Sequence, residues 1–153
     1  MTTGLELEKQ VCFALYSATR AVTQLYRPVL DALGLTYPQY LVMLVLWERG
    51  PVTVKQLGEA LELDSGTLSP LLRRLAAHGH VRRERSTSDQ RSVLIHVTDT
   101  GAALRTRATS VPRRIAGATG MELVELEALR QNLTRLTEAV SARTLTPEEE
   151  EPT

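Results

Sequence analysis

Residues 53–80 read TVKQLGEALELDSGTLSPLLRRLAAHGH, and residues 81–97 continue VRRERSTSDQRSVLIHV. Thr53 is a good helix N-cap, and Val54, Leu57 and Leu61 behind it set one apolar face of a short helix. Glu62-Leu63-Asp64 reads as a tight turn. Asp64 or Ser65 caps a second helix that carries Leu68, Leu71, Leu72 and Leu75 inward. His78-Gly79-His80 ends that helix, Gly79 being suited to a left-handed position after the last turn. Two short helices, a turn of three to four residues and a polar second helix match the helix-turn-helix pattern. Val81 to Arg85 then reads as a strand and Ser86 to Gln90 as a polar loop. Ser92 to Val97 reads as a returning strand, with Val93, Ile95 and Val97 alternating. The segment predicts a winged helix-turn-helix.

Helices are expected on both sides of it. Leu5 to Leu33 reads as one helix, with Val11, Leu15, Ala18, Val22 and Leu25 at spacings of three and four. Pro28 kinks it or starts a new turn, and Gly34 with Thr36-Tyr37-Pro38 breaks it. A very apolar helix follows from Pro38 to about Arg49, stopped by Gly50-Pro51. Beyond the hairpin, Thr98 caps a helix through Arg114 that Pro112 bends or ends, and Gly117 and Gly120 flank a short break. The last helix spans about Met121 to Arg143. Its stripe of Leu123, Leu126, Leu129, Leu133, Leu136 and Val140 needs a partner: the first helix, another protomer, or both. Thr144 to Thr153, with four consecutive Glu and two Pro, is expected to be a disordered acidic tail. The fold class is mainly α.

Length and composition fit this picture. The 153 residues accommodate one domain with appended helices, and 42% apolar and 24% charged residues are ordinary for a soluble globular chain. The longest apolar run, Tyr40 to Trp47, is far short of the ~20 residues a membrane span needs, so no membrane partner is expected. Glu6, Glu8 and Lys9 precede any apolar stretch, which does not read as a secretory signal. The single cysteine, Cys12, has no internal disulfide partner, and a cytoplasmic setting is expected. Net charge is zero, but its distribution is uneven. Leu71 to Arg107 holds eight Arg against three acidic residues, net +5; Met121 to Thr153 holds three Arg against eight acidic residues, net −5. That dipole suits a chain that offers one region to phosphates and keeps another away from them.

The double-stranded DNA contacts follow from this arrangement. The second helix of the pair offers Ser65, Thr67, Ser69, Arg73 and Arg74 behind the Asp64 cap. Short hydroxyls near a helix N-terminus reach base edges or phosphates, and Arg pairs bidentately with guanine or phosphate. The hairpin loop 86–91 is flanked by Arg82, Arg83 and Arg85 and ends on Arg91. A basic hairpin after a helix-turn-helix can place an Arg in the minor groove. Asp89, two residues before Arg91, is expected to fix that side chain by an ion pair. His78, His80 and His96 lie near the DNA-reading part without a cysteine or carboxylate cluster, so neither a metal site nor a cofactor is expected.

Asp89-Gln90-Arg91, followed by Val97-Thr98-Asp99-Thr100-Gly101, resembles the wing signature of MarR-type regulators, with Val97 where leucine is commoner. The run Leu63 to Leu72 is similar to the recognition helix of that family, and the resemblance covers about Leu7 to Leu136. It implies an intertwined homodimer that binds a pseudo-palindromic operator. Residues 1–36 and 101–143 would form the helical dimerisation region, with 37–100 as the winged domain. Two-fold symmetry would then set the recognition helices about 34–36 Å apart.

By itself Cys12 reads as a small buried hydrophobe. Together with Leu35-Thr36-Tyr37-Pro38-Gln39-Tyr40, however, it resembles the organic-hydroperoxide-responsive repressors within the MarR class. The resemblance implies that Cys12 is a peroxide sensor, with Tyr26 and Tyr37 donating hydrogen bonds to it across the dimer interface. Tyr16, one turn after Cys12, is a further pocket candidate. The thiolate is the attacking form, and phenol donors favour charged sulfur. Phe13 and Leu41 would supply an apolar surround selecting alkyl over hydrogen peroxide. With no second cysteine to resolve a sulfenic acid, a low-molecular-weight thiol or overoxidation would complete the switch. The competing reading is a repressor that binds a phenolic ligand in the inter-helix cleft, with Cys12 as packing. A thiol peroxidase lacks its resolving cysteine here, so no enzyme is expected.

Overall fold

The computed structural model describes residues 4–89 and 91–143. The expected acidic tail, 144–153, and Gln90 of the wing loop lie outside the described residues. Seven helices and three short strands follow one another: α1 (Val11–Asp31), α2 (Tyr37–Arg49), β1 (Val52–Thr53), α3 (Val54–Leu61), α4 (Ser65–Ala77), β2 (Val81–Arg85), β3 (Val93–Val97), α5 (Asp99–Ala108), α6 (Val111–Ala118) and α7 (Leu123–Ser141). The molecule is thus mainly helical with a small winged sheet.

The helix starts are set by short polar side chains. Thr36 and Thr53 each close a reciprocal capping box, with Gln39 and Gln56 respectively. Asp64 accepts from the Thr67 backbone N–H at 2.7 Å, which settles the two candidate caps of α4 in favour of Asp64. Between α3 and α4 the chain turns through Glu62 in the left-handed region (φ 54°). Gly58 permits the close return, since a Cβ there would sit 2.8 Å from the Leu63 carbonyl oxygen.

The core belongs to the winged helix-turn-helix and the helices that brace it. Leu30, Val42, Met43, Leu46, Leu57, Leu68, Leu72, Leu75 and Ile95 are almost wholly excluded from solvent. Leu71, expected inward, is half-buried. At ~1.5–3 kcal/mol for each fully buried aliphatic side chain, these residues dominate the favourable side of folding. The sheet order is β1-β3-β2, all antiparallel, with Val81 opposite Val97 and Val52 opposite Ile95.

Three expectations are corrected. The first helix does not run unbroken from Leu5: a single 3-10 turn, Leu7–Lys9, precedes an extended Gln10, whose side-chain amide donates to the Gly4 and Glu6 carbonyls. Pro28, expected to kink that helix or start a new turn, lies inside α1. The helix expected from Thr98 to Arg114 divides at Thr109–Ser110, so that Pro112 falls in the first turn of α6, where its missing N–H costs least. Gly117 is within α6, and the break before α7 begins at Thr119.

Contacts divide the chain into one unit up to Ile115 and another from Ala116 onward. In the second, α7 is held by an Arg130–Glu127 pair at 2.6 Å and by Glu125 accepting from the Glu122 N–H. Its Leu129, Leu133, Leu136 and Val140 remain exposed.

Candidate DNA interface and thiol site

α4 and the β2–β3 hairpin carry the DNA-reading candidates. Ser65, Thr67, Arg73 and Arg74 are exposed on α4, whereas Ser69 is half-buried. Thr67 is partly engaged, its hydroxyl donating to the second Asp64 oxygen at 3.1 Å. Those donations from the Thr67 N–H and hydroxyl hold the Asp64 carboxyl below the usual carboxylate range, so it stays ionised beside the positive end of the α4 dipole. Leu68, Leu72 and Leu75, on the opposite face, are fully buried, which fixes the rotation of α4 and directs its polar face outward.

In the wing, Asp89 works on the backbone. One carboxylate oxygen accepts from the Arg91 N–H at 3.0 Å, and the other accepts from the Ser92 hydroxyl at 3.3 Å. The expected Asp89–Arg91 ion pair is thereby replaced by a turn clamp, which leaves the exposed Arg91 guanidinium to other partners. Arg82 is paired with Glu84 at 2.6 Å, and this hydrogen bond is the main reason the Glu84 carboxyl lies below its ordinary range. The base of the wing is tied to α4 and α5. The Thr98 hydroxyl donates to the Gly79 carbonyl and accepts from the Gly101 N–H, while the Thr98 N–H donates to the His80 carbonyl at 3.1 Å. His78, as expected of a turn residue, places Nδ1 2.7 Å from the Arg74 carbonyl. Among the described residues no three His, Cys, Asp or Glu side chains converge on a possible metal position.

The thiol candidates lie on α1 and the start of α2. Cys12 is exposed. Phe13 is likewise exposed and Leu41 half-buried on α2, so within a single chain the expected apolar surround is absent from Cys12. Tyr16 is exposed, with the Arg20 guanidinium over its ring at 5.4 Å. Tyr26 and Tyr37 do meet: their ring centroids are 4.7 Å apart, and Tyr40, which sequence reasoning passed over, joins them at 5.9 Å from Tyr26. Its signal was available, since Tyr40 is three residues beyond Tyr37 on one helix. Burial, and then the neighbouring Tyr37, push the Tyr26 and Tyr40 phenols upward, so both remain protonated donors.

Cys12 and the tyrosine cluster are not brought together within one chain. The fourteen residue steps from Cys12 to Tyr26 span about 21 Å of helix. They nevertheless share a face: Cys12, Tyr16, Thr19, Thr23, Tyr26 and Leu30 recur at spacings of four and three. Thr19, Thr23, Tyr26 and Leu30 line a cavity of about 460 Å³ closed by Leu35 and Tyr37.

Comparison with known proteins matches residues 24–106 to the family described as transcriptional regulator SarA/Rot. The chain is 46% identical over 136 residues to the organic hydroperoxide resistance transcriptional regulator of Bacillus subtilis, covering 89% of this chain and 92% of that one. It is 49% identical over 137 residues to the regulator TtmR of Methylorubrum extorquens, covering 90% of this chain and 70% of that one. Among solved structures it is similar to AbfR of Staphylococcus epidermidis. The reduced, DNA-bound form aligns with a TM-score of 0.75 at 35% identity, over 88% of this chain and 94% of that one. The overoxidised, DNA-bound form aligns with a TM-score of 0.68 at 38% identity, over 85% and 94%.

Proposed function

Because the chain belongs to the MarR/SarA family of transcriptional regulators, we propose that it is a homodimeric repressor that releases its operator when organic hydroperoxide oxidises Cys12. The observation that carries the reading is the shared face of α1, with an exposed thiol at one end and the Tyr26–Tyr37 pair at the other. A second copy running antiparallel against this face brings each Cys12 toward the tyrosines of its neighbour, which a single chain cannot do. The exposed Val11, Val22 and Leu25, on the adjoining side of α1, give a wider contact apolar area to bury.

The chemistry is a two-electron oxidation. The Cys12 thiolate attacks the terminal peroxide oxygen; the S–O bond forms and the O–O bond breaks. The alcohol leaves with a proton, and sulfur becomes a sulfenic acid. A low-molecular-weight thiol then displaces the hydroxyl, forming a mixed disulfide and releasing water. Tyr26 and Tyr37 stabilise the thiolate beforehand by hydroxyl donation. The added bulk and the lost donor contacts then disturb the joint between protomers, and with it the spacing of the two α4 helices on DNA. In this reading Ser65, Thr67, Arg73 and Arg74 address the major groove and Arg91 the minor groove.

The test is operator binding of wild type and Cys12→Ser before and after cumene hydroperoxide, with intact mass in parallel. Wild type should lose at least about tenfold in affinity, on the scale of allosteric couplings generally, and Cys12→Ser nothing. Loss of affinity by both proteins alike would remove Cys12 from the mechanism. The cavity beside Tyr26 and Tyr37 supports a second reading, in which a phenolic or aromatic acid is the effector. Thermal stabilisation by such acids, without any response to peroxide, would favour it.

A further inference from the structure

Tyr40, Leu44 and Trp47 recur at spacings of four and three on α2 and line a cavity of about 530 Å³ against Ala108 at the end of α5 and Thr109 just beyond it. At one end of this row the Tyr40 ring packs against Tyr26. At the other, half-buried Trp47 donates its indole Nε1–H to the Gly101 carbonyl at 3.0 Å. Gly101 stands in the first turn of α5, at the knot where Thr98 joins the end of α4 to the base of β3. The knot has no slack: a Cβ on Gly101 would lie 2.1 Å from the His80 carbonyl oxygen and 3.0 Å from Val97. Beside the packing of α2 on α4, β3 and α5, this indole hydrogen bond ties the helix that holds Tyr37 and Tyr40 to the point from which both the wing and the end of α4 are hung.

We infer that Trp47 is the positioning residue through which the state of the tyrosine cluster reaches the DNA-reading elements. This rests on the function proposed above. α2 is a capped thirteen-residue helix, stiff on the scale of the motion it has to carry. A displacement of Tyr37 or Tyr40 at its first turn is therefore passed to Trp47, about 15 Å and 10 Å farther along the axis respectively. Gly101 follows because its carbonyl is held by the indole. Thr98 and His80 follow because the backbone there is too closely packed to yield.

Trp47 is the only tryptophan in the chain, so its emission reports on this contact directly. The protein is used with an operator duplex selected from a random-sequence pool by the reduced wild type. Oxidation of Cys12 by cumene hydroperoxide should shift the Trp47 emission of wild type, and leave that of Cys12→Ser unchanged. Trp47→Phe keeps the ring packing and deletes the donor. It should be oxidised at Cys12 at the wild-type rate by intact mass, yet its ratio of oxidised to reduced operator Kd should shrink by about fivefold or more. An unchanged ratio, or a wild-type emission unmoved by oxidation that does release operator, overturns the inference. If Trp47→Phe fails to bind operator when reduced, the wild-type emission decides alone. If oxidised wild type keeps its operator, the peroxide-sensing reading has failed. The coupling is then judged by whether operator binding itself shifts Trp47 emission, and no shift overturns it.

Discussion

Asp64 does two jobs with one carboxylate. It caps α4 through the Thr67 N–H, and by engaging the Thr67 hydroxyl it orients a side chain on the exposed face of α4. Asp64→Ala should lower the thermal unfolding midpoint by a few degrees and weaken operator binding, whereas Asp64→Asn should retain most of the cap. The pH dependence follows from the depressed acidity constant. The contribution of Asp64 is fully present above its ordinary value of 3.8 and is lost as pH falls through the lower folded-state value. The difference in thermal midpoint between wild type and Asp64→Ala should therefore be largest at neutral pH and narrow in strong acid. Arg91 tests the wing. Its guanidinium is exposed and its backbone is clamped by Asp89. Arg91→Ala should flatten the slope of log affinity against log salt by about one, measured by fluorescence anisotropy on a labelled duplex.

Among the elements, the joint between β3 and α5 is the least tolerant. Gly101→Ala must displace the His80 carbonyl or unwind the first turn of α5. It should cost about 1–3 kcal/mol in chemical denaturation, with unchanged slope if the native state stays compact. At the other end of the chain, Arg130 and then Gln131 hold the Glu127 carboxyl down to about 2. That support for α7 is complete above the ordinary value of 4.5 and fades between there and about 2, so α7 should resist mild acid. Most element boundaries were legible because caps and apolar spacing agree: Thr53, Asp64 and Thr98 each start a helix where a short polar residue precedes a periodic run. β1 was not. Two residues, Val52–Thr53, carry no alternation to read, and they become a strand only because β3 passes beside them. The division between α5 and α6 was missed for a related reason. Proline marks a break somewhere near itself, but its preference for the first turn of the following helix decides on which side.

At the scale of the molecule, the exposed apolar residues of α1 and α7 are the feature a lone chain does not explain. Val11, Val22, Leu25, Leu133 and Leu136 are each more than a third exposed. A homodimer would cover them, and Leu133→Asp combined with Leu136→Asp should give a monomer by sedimentation that binds an operator at least about tenfold more weakly, since linked half-sites gain from effective concentration. The candidate site was legible in its chemistry but not in its arrangement. Cys12, Tyr26 and Tyr37 stand out by rarity in a chain with one cysteine and four tyrosines. That Tyr40 joins the cluster depends on how α2 docks on α1, and that Cys12 stands some 21 Å from Tyr26 depends on α1 being continuous helix between them.

The order of the small sheet carries one more consequence. With β3 in the middle, β2 is an outer strand, and among the described residues nothing pairs with its far side. Such a rim invites strands of other molecules to zip onto it, and charged side chains are the usual guard against this. Arg82, Arg83 and Arg85, all exposed, stand on that rim. If the wing meets phosphate as proposed, the same cations also keep copies of the protein apart, so stripping them to alanine would forfeit solubility along with DNA affinity. A variant meant to silence the wing alone should exchange charge for charge, arginine for glutamate.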